Sequence, residues 1–319
     1  MEKLLKILKE FPEKKVVVVG DVMLDNYVLG CVNRTSKEAP VPIFEVEQES
    51  YFLGGAGNVA TNIAALDGRV ILYGLLGNDS AGDLFRKKSS QYLNFILKTF
   101  TDGRPSTVKT RYVEYEKNHQ ITRIDEEIAD PISPATEGVI LKLIEHDLEH
   151  VDAVILSDYH KGLLSNDLPK RIIETCFAAD KPVLSDFKPD HYELFKHSTI
   201  ISPNLKEAEA ITQMTAERNN GNLEKICTQL ENVMNTPYTT ITCGRDGMIS
   251  KERDKEAKHM ATKAREVADV TGAGDTVIAT LALCIAKNYS HIGDGFNIYD
   301  AAEIANYAAG VVVGKAGTA

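Results

Sequence analysis

A glycine-rich segment near the carboxyl end of the chain has the composition of an anion-binding turn. Residues 269–276 include two glycines, Gly272 and Gly274, and an apolar, helix-like run at 277–286 follows. Glycines let the backbone approach a ligand closely, and a helix start directs free N–H groups and a positive dipole end at an anion. The segment therefore predicts a pocket that suits a phosphoryl group in transfer.

Asp275, within this turn, is a candidate general base. The helix start would keep its carboxylate ionised, and an ionised carboxylate can accept the proton of an attacking hydroxyl. An aspartate at a helix start also serves simply to cap the helix. These residues alone leave both interpretations open.

A second glycine-rich segment, 54–60, precedes a helix-like run at 61–66. Its small residues leave room for a sugar ring, and Asn58 offers both donors and an acceptor to sugar hydroxyls. The segment also matches the G-x-G-x-x-A pattern of dinucleotide-binding folds. That pattern needs a buried strand in front of it, whereas 45–51 is charged, so the sugar interpretation is favoured.

Further polar residues follow predicted strands. Asp21 and Asp25 come after the β-branched run 16–19, at the carboxyl edge where open α/β sheets bind ligands, and could accept hydrogen bonds from sugar hydroxyls. The plainer alternatives are a turn-forming Asp21 and a solvated Asp25, and the plainer role is more favoured for Asp21 than for Asp25. Four cations could hold a substrate phosphate, although each is also an ordinary surface residue: Arg111, Arg123, Lys161 and Lys188.

Two more segments fit a nucleotide site as well as plainer roles. Asn204 and Glu207 have the spacing of a helix capping box, which alone would explain them. The segment 242–247 runs from a strand into a glycine-containing turn that could admit a nucleotide or form a simple β-turn. The chain has no Walker A motif, because 310–315 is one residue short and continues with alanine.

The elements that must position these residues alternate between strands and helices. Short apolar runs predict buried strands at 16–19, 70–73, 153–156, 182–184, 199–201 and 239–242. Helical patterns lie between most of them, at 58–66, 168–179 and 205–212. This alternation predicts an α/β fold with a mostly parallel central sheet and helices on both faces. Two stretches, about 26–52 and 106–124, have half-exposed strand patterns and predict a small β lobe beside it.

Composition narrows the function classes. The chain has 319 residues and a formal net charge of −10, which disfavours binding to nucleic acid. Its five cysteines are widely spaced, which indicates a reducing cytoplasm rather than a disulfide framework. No segment reaches the ~20 apolar residues that a membrane span requires. We expect one domain over 1–319, located in the cytoplasm.

Together these residues resemble the ribokinase-like, or PfkB, family of carbohydrate kinases, whose hallmarks are the early glycine-rich turn and the late Gly-Ala-Gly-Asp. The resemblance spans nearly the whole chain. More narrowly, the chain resembles the heptose-phosphate kinases of ADP-heptose synthesis. The segments that carry this narrower resemblance are 20–25, 38–42, 156–159, 203–205, 270–278 and 310–315.

The resemblance implies ATP-dependent phosphorylation of D-glycero-β-D-manno-heptose 7-phosphate at its anomeric hydroxyl, for lipopolysaccharide core assembly. It implies Asp275 as the base, with the amides of Gly272, Ala273 and Gly274 as an anion hole. Implied sugar contacts are Asp25, Gly54, Gly55 and Asn58. Implied nucleotide contacts are Asn204, Leu205, Lys206, Glu207, Thr242, Gly244, Gly247 and Asn306.

The resemblance also implies Mg²⁺ held through the ATP phosphates and Glu207, and a monovalent cation near Asp269. It implies a homodimer as well, with the β lobe forming both a lid and the dimer contact. A nucleotidylyltransferase, fused or separate, is an expected partner. The segment 185–188 departs from the Asp-Pro-Lys that relatives usually show, which bears on the role of Lys188. Alternatives are another sugar or nucleoside kinase of the same family, or a non-catalytic sugar or nucleotide sensor on this fold.

Overall fold

The computed structural model describes residues 2–115, 119–217, 221–263, 271–286 and 296–314. The strands in these ranges are β1 (Lys15–Gly20), β2 (Val22–Thr35), β3 (Pro42–Gly55), β4 (Arg69–Leu75), β5 (Phe95–Phe100), β6 (Val108–Glu114), β7 (His119–Glu126), β8 (Ala153–Ser157), β9 (Val183–Asp186), β10 (Ile200–Ile201), β11 (Tyr238–Thr242), β12 (Met248–Glu252) and β13 (Lys258–Met260). The α-helices are α1 (Glu2–Lys9), α2 (Ala56–Ala65), α3 (Ser80–Ser89), α4 (Pro134–Leu148), α5 (Leu168–Ala178), α6 (Leu205–Thr212), α7 (Leu223–Met234), α8 (Ala273–Ile285) and α9 (Ile298–Val312).

The larger sheet has the strand order β13-β12-β11-β10-β9-β8-β1-β4-β5 among the described residues. The pairs from β11 to β5 are parallel, and the edge strands β12 and β13 pair in antiparallel fashion. All six runs predicted as strands lie in or overlap strands of this sheet, and the three predicted helices correspond to α2, α5 and α6. The prediction of a mostly parallel α/β fold is confirmed.

The central strand β1 explains why the sheet is covered on both faces. Successive side chains of a strand point to opposite faces. Val16 and Val18 accordingly pack into one core, with α2, α8 and α9, whereas Val17 and Val19 pack into a second core, with α4, α5 and α7. All four valines are fully buried, as expected for a parallel strand between two layers of helices.

The smaller sheet has the order β3-β2-β6-β7 among the described residues. The stretches 26–52 and 106–124 fall largely within it, and β3 runs antiparallel to β2. Because the glycine-rich turn at 54–60 follows this antiparallel strand, it lacks the buried parallel strand of a dinucleotide-binding unit. In the ranges that the structure describes, no helix has the length and apolar character needed to cross a membrane.

Candidate active site

The carboxyl ends of four parallel strands bring polar side chains to one edge of the larger sheet. Asp158 and Tyr159 follow β8, Asp186 ends β9, Ser202 follows β10 and Thr242 ends β11. Residues at the carboxyl edge of such a sheet are where ligands bind in open α/β folds. The first turn of α8 meets this edge, and a cleft of about 160 Å³ opens between them.

Asp275 lies in the first turn of α8, at the floor of this cleft. Its two oxygens accept separate hydrogen bonds: Oδ1 from the hydroxyl of Tyr159 at 2.6 Å and Oδ2 from Nδ2 of Asn58 at 2.7 Å. A second contact holds the two helices together, because Thr276 Oγ1 donates to Asn62 Oδ1 at 2.7 Å. The carboxylate is therefore fixed in orientation between α2, α8 and the segment after β8.

Burial dominates the proton affinity of this carboxylate. Burial raises the pKa of Asp275 to about 6, and the hydrogen bonds from Tyr159 and Asn58 oppose the rise because they favour the ionised form. Burial beside Asp275 raises the pKa of Tyr159 well above its ordinary value, so this phenol stays protonated and donates. Asp275 is thus ionised at neutral pH, yet basic enough to take a proton.

The glycine-rich turn before Asp275 leaves open space where a ligand would approach. Gly272 caps α8 with a φ of 79°, and a Cβ there would meet Asn58 Nδ2 at 2.6 Å. A Cβ on Gly274 would meet nothing within 4 Å. Both glycines line the cleft, so free N–H groups at the start of α8 face a space that can accept an anion.

The opposite side of the cleft carries the predicted nucleotide residues. Asn204 and Glu207 form a capping box at the start of α6, with bonds of 3.0 and 2.9 Å. The second oxygen of Glu207 accepts from Lys188 Nζ at 2.8 Å, and that ammonium lies 5.6 Å from the centre of the Tyr159 ring. Lys188, Asn204, Glu207 and Thr242 all line the cleft together with Asp275.

Tyr159, Asp186 and Ser202 also line the cleft, and the sequence analysis did not select them as site residues. Burial, together with nearby Glu207 and Asp275, raises the pKa of Asp186 to about 8. Ser202 Oγ is buried without a hydrogen-bond partner among the described residues. One signal could have found all three, since each lies at or just beyond the carboxyl end of a predicted parallel strand.

The donor set on this side of the cleft fits a divalent cation. The carboxylates of Asp186 and Glu207 line the same small space, and Lys188 is the one cation that opposes their charge among the described residues of the cleft lining. Oxygen ligands of this kind suit Mg²⁺, which also keeps several waters and binds through substrate phosphates. Burial first, and then the nearby Glu207 and Asp275, raise the pKa of Asp186, and such an ion would favour its ionised form.

Asp25 and Asp21 differ in their surroundings. Asp25 is buried, pairs with Arg111, and leaves so little room beside it that a Cβ on Gly54 would lie 2.2 Å from its Oδ2. The carboxylate of Asp21 accepts three backbone N–H groups, from Tyr159, Lys161 and Leu163, at 2.9 to 3.2 Å. Asp21 therefore fixes the backbone of the segment that follows β8.

Several predicted contacts lie apart from the cleft or are already paired. Arg123 is paired with Asp125, and Lys161 with Glu127 at 2.7 Å. The buried Asn306 donates to the carbonyl of Ala261 at 2.7 Å. Three of the remaining predicted residues are glycines: Gly55 has a φ of 58° and lies beside Asp21, Gly244 faces open space, and Gly247 lies against Met260. Ala273 begins α8, and Leu205 and Lys206 begin α6. Asp269 lies outside the described residues.

Comparison with known proteins identifies the family. Residues 13–319 match the family described as "pfkB family carbohydrate kinase". The chain belongs to this family. It is therefore a carbohydrate kinase, as its resemblance to this family predicted.

Three curated relatives carry the name Bifunctional protein HldE. The proteins of Caulobacter sp. (strain K31) and Caulobacter vibrioides are 40% and 39% identical to this chain, over 99% and 97% of it. The protein of Sulfurimonas denitrificans is 37% identical over 99% of the chain. The chain spans 62–64% of the length of these three relatives.

Solved structures show the same fold at low sequence identity. A ribokinase of Arabidopsis thaliana complexed with ribose and ATP is 19% identical, with a TM-score of 0.72 over 95% of this chain and 94% of its own. Phosphofructokinase-2 of Escherichia coli in complex with potassium is 14% identical, with a TM-score of 0.76 over 96% and 94%. These likenesses confirm the ribokinase-like fold.

Proposed function

We propose that this chain transfers the γ-phosphoryl group of ATP to the anomeric hydroxyl of D-glycero-β-D-manno-heptose 7-phosphate, giving the 1,7-bisphosphate. One observation carries the proposal: a buried, oriented Asp275 carboxylate adjoins a helix start whose glycines, Gly272 and Gly274, line the same cleft. The choice of a heptose phosphate is supported by the motif resemblance and by relatives that are 37–40% identical over nearly the whole chain.

Asp275 acts as the base for the sugar hydroxyl in this proposal. Its pKa of about 6 leaves it ionised at neutral pH, and Tyr159 and Asn58 keep its oxygens in fixed positions. A loose phosphoryl-transfer transition state requires proton removal late, which a carboxylate of modest basicity can perform. The remaining task of the protein is to align the two substrates and neutralise charge.

The nucleotide phosphates would lie against the start of α8, where the Gly274 amide faces the cleft, and beside Lys188. Mg²⁺ would bind through those phosphates with Asp186 and Glu207 nearby, and when bound it neutralises the charge of the phosphate oxygens. Thr242 and Gly244, at the end of β11, would border the nucleotide. Ser202 Oγ, which is buried and has no hydrogen-bond partner among the described residues, could donate a hydrogen bond to the nucleotide phosphates.

The sugar would lie between Asn58, Asp25 and the glycines at 54–55, beneath the smaller sheet as a lid. Arg111 and Lys161, two of the cations predicted to hold a substrate phosphate, are paired with the carboxylates of Asp25 and Glu127. A substrate phosphate could share these cations with their carboxylates, whereas a neutral sugar would gain no such attraction. Exposed apolar side chains on this sheet, such as Val46 and Ile124, support its use as a homodimer contact.

Coupled measurement of ADP release tests the proposal. The panel contains heptose 7-phosphate, unphosphorylated heptose, fructose 6-phosphate, ribose and a nucleoside, each with Mg·ATP and K⁺. We expect the largest kcat/KM with heptose 7-phosphate and a product phosphorylated at C1. Faster turnover of ribose, fructose 6-phosphate or a nucleoside would select the alternative of another kinase of this family, and binding without ADP release would select the sensor.

A further inference from the structure

Asp158, His160 and His191 form a cluster beside the cleft that the proposed reaction does not use. One ligand-type atom from each residue lies within 4.8 Å of the other two. Asp158 Oδ2 is 3.0 Å from Nδ1 of His191 and 3.9 Å from Nε2 of His160. The centres of the two imidazole rings are 3.5 Å apart, and the ring planes are inclined to each other by 47°.

His160 holds an unusual position in this cluster. Its Nε2 is buried and has no hydrogen-bond partner among the described residues. The 3.9 Å gap to Asp158 is too long for a hydrogen bond. His160 also has a φ of 57°, in the left-handed region that non-glycine residues seldom adopt, and its own N–H donates to Asp158 Oδ1 at 2.9 Å. The backbone bond to Asp158 thus holds the ring beside that carboxylate, while the ring atom Nε2 makes no hydrogen bond with the described residues.

We propose that Asp158, His160 and His191 form a binding site for a divalent transition metal ion, with Zn²⁺ as the first candidate. Zn²⁺ binds imidazole nitrogen and carboxylate oxygen at about 2.0–2.2 Å, so two tetrahedral ligands are about 3.4 Å apart. Two of the observed separations, 3.0 and 3.9 Å, bracket that value, and all three ligand atoms lie within 4.8 Å of one another. Side-chain rotations would bring them to the distances of a three-ligand site.

The chemistry of the cluster separates this site from the magnesium site of the cleft. Imidazole suits Zn²⁺ and its neighbours in the first transition series, whereas Mg²⁺ prefers oxygen ligands alone. Asp158 is almost fully buried, and the imidazoles are about one-third exposed, at 32% and 33%. An ion can therefore enter from solvent, and a water molecule can take the fourth position.

Metal binding here would connect two segments that supply the cleft. Asp158 and His160 flank Tyr159, which holds Asp275, and His191 follows three residues after Lys188, with a 2.9 Å bond between its N–H and the Lys188 carbonyl. A metal ion shared by the three side chains would tie these segments to each other. The site therefore offers a means for a transition metal to stabilise or rigidify the active-site edge.

Titration of the metal-free protein with Co²⁺ and Zn²⁺, in a large excess of Mg²⁺, tests the site. We expect one equivalent of Co²⁺ to give visible absorption bands of a nitrogen- and oxygen-ligated ion, and Zn²⁺ to displace it and raise the Tm. His160→Gln and His191→Gln should each weaken Zn²⁺ binding roughly 100-fold. His259→Gln, which changes an exposed histidine on β13, serves as the matched control and should bind as the unchanged protein does.

The outcomes are decisive in both directions. Equal Zn²⁺ affinity in the unchanged protein and the two cluster variants, or no Co²⁺ bands in the unchanged protein, would overturn the proposal. Should a variant fail to fold, X-ray absorption of the Zn²⁺-loaded unchanged protein replaces it. Two histidine ligands would support the site, and a shell of oxygen ligands alone would refute it.

Discussion

Replacing Tyr159 by Phe isolates the hydrogen bond that orients the proposed base. The hydroxyl of Tyr159 donates to Asp275 Oδ1 at 2.6 Å and favours the ionised carboxylate. Its removal must therefore raise the pKa of Asp275 above about 6, and the acid limb of the rate profile must move to higher pH. The ring itself stays, so the packing around it changes little.

The size of the shift follows from the strength of such a bond. Hydrogen bonds to charged groups contribute about 1.5–3 kcal/mol, and one pKa unit corresponds to about 1.36 kcal/mol. Water that enters in place of the hydroxyl recovers part of this, which leaves a rise of about one unit. At pH 6.5 the ionised fraction of Asp275 would then fall about threefold, whereas at pH 8 it would barely change.

The assay is kcat/KM against pH, which reports the groups of the free enzyme. Tyr73→Phe is the matched control, because the Tyr73 hydroxyl also donates to a carboxylate at 2.6 Å, that of Asp147, on an element outside the cleft. We expect its profile to match that of the unchanged protein. An acid limb that stays in place in Tyr159→Phe, or moves to lower pH, would refute the assignment of Asp275 as the titrating base.

Three further substitutions separate stability from function. Gly274→Ala should raise the Tm, since alanine stabilises a helix by up to ~1 kcal/mol more than glycine does. It should also lower kcat/KM for ATP roughly 100-fold, because its methyl group enters the cleft, and unchanged kinetics would contradict the proposed position of the phosphates. Asp21→Ala leaves three backbone N–H groups without their acceptor and should lower the free energy of unfolding in urea by about 3 kcal/mol or more; a loss under about 1 kcal/mol would contradict that role. Because burial, together with Glu207 and Asp275, makes the folded chain bind the Asp186 proton more tightly than the unfolded chain, stability should fall as pH rises towards the pKa of about 8. Without Mg²⁺, Asp186→Asn should therefore raise the Tm at pH 8 by roughly 2–4 °C, and an unchanged or lower Tm would argue against a destabilising buried carboxylate.

The fold was predictable because its signals are local. The valine run of β1 has the pattern of a strand buried on both faces, and the helical runs between strands fix a parallel arrangement. The half-exposed pattern of 26–52 and 106–124 likewise marked the smaller sheet. The antiparallel edge strands β12 and β13 were not foreseen, because short strands at a sheet edge carry little periodicity.

The site was predictable in part. Glycine-rich turns and residues at strand ends indicated Asp275, Asn58 and Glu207, which the structure places around one cleft or its floor. Tyr159 was missed as a partner of Asp275 because the two are 116 residues apart and meet only through the tertiary fold. The backbone-binding role of Asp21 was equally invisible, since nothing in a sequence shows which N–H groups converge on a carboxylate.

Turnover of Asp275→Asn, measured together with ATP binding, tests the central claim most directly. The amide keeps the size of the side chain, and its oxygen can still accept the Tyr159 hydrogen bond, but it cannot take a proton and it loses the bond from Asn58 Nδ2. We predict a loss of kcat of at least ~10²-fold, with the Kd for Mg·ATP nearly unchanged. A variant that phosphorylates the sugar at close to the original rate would contradict the account of Asp275 as the base.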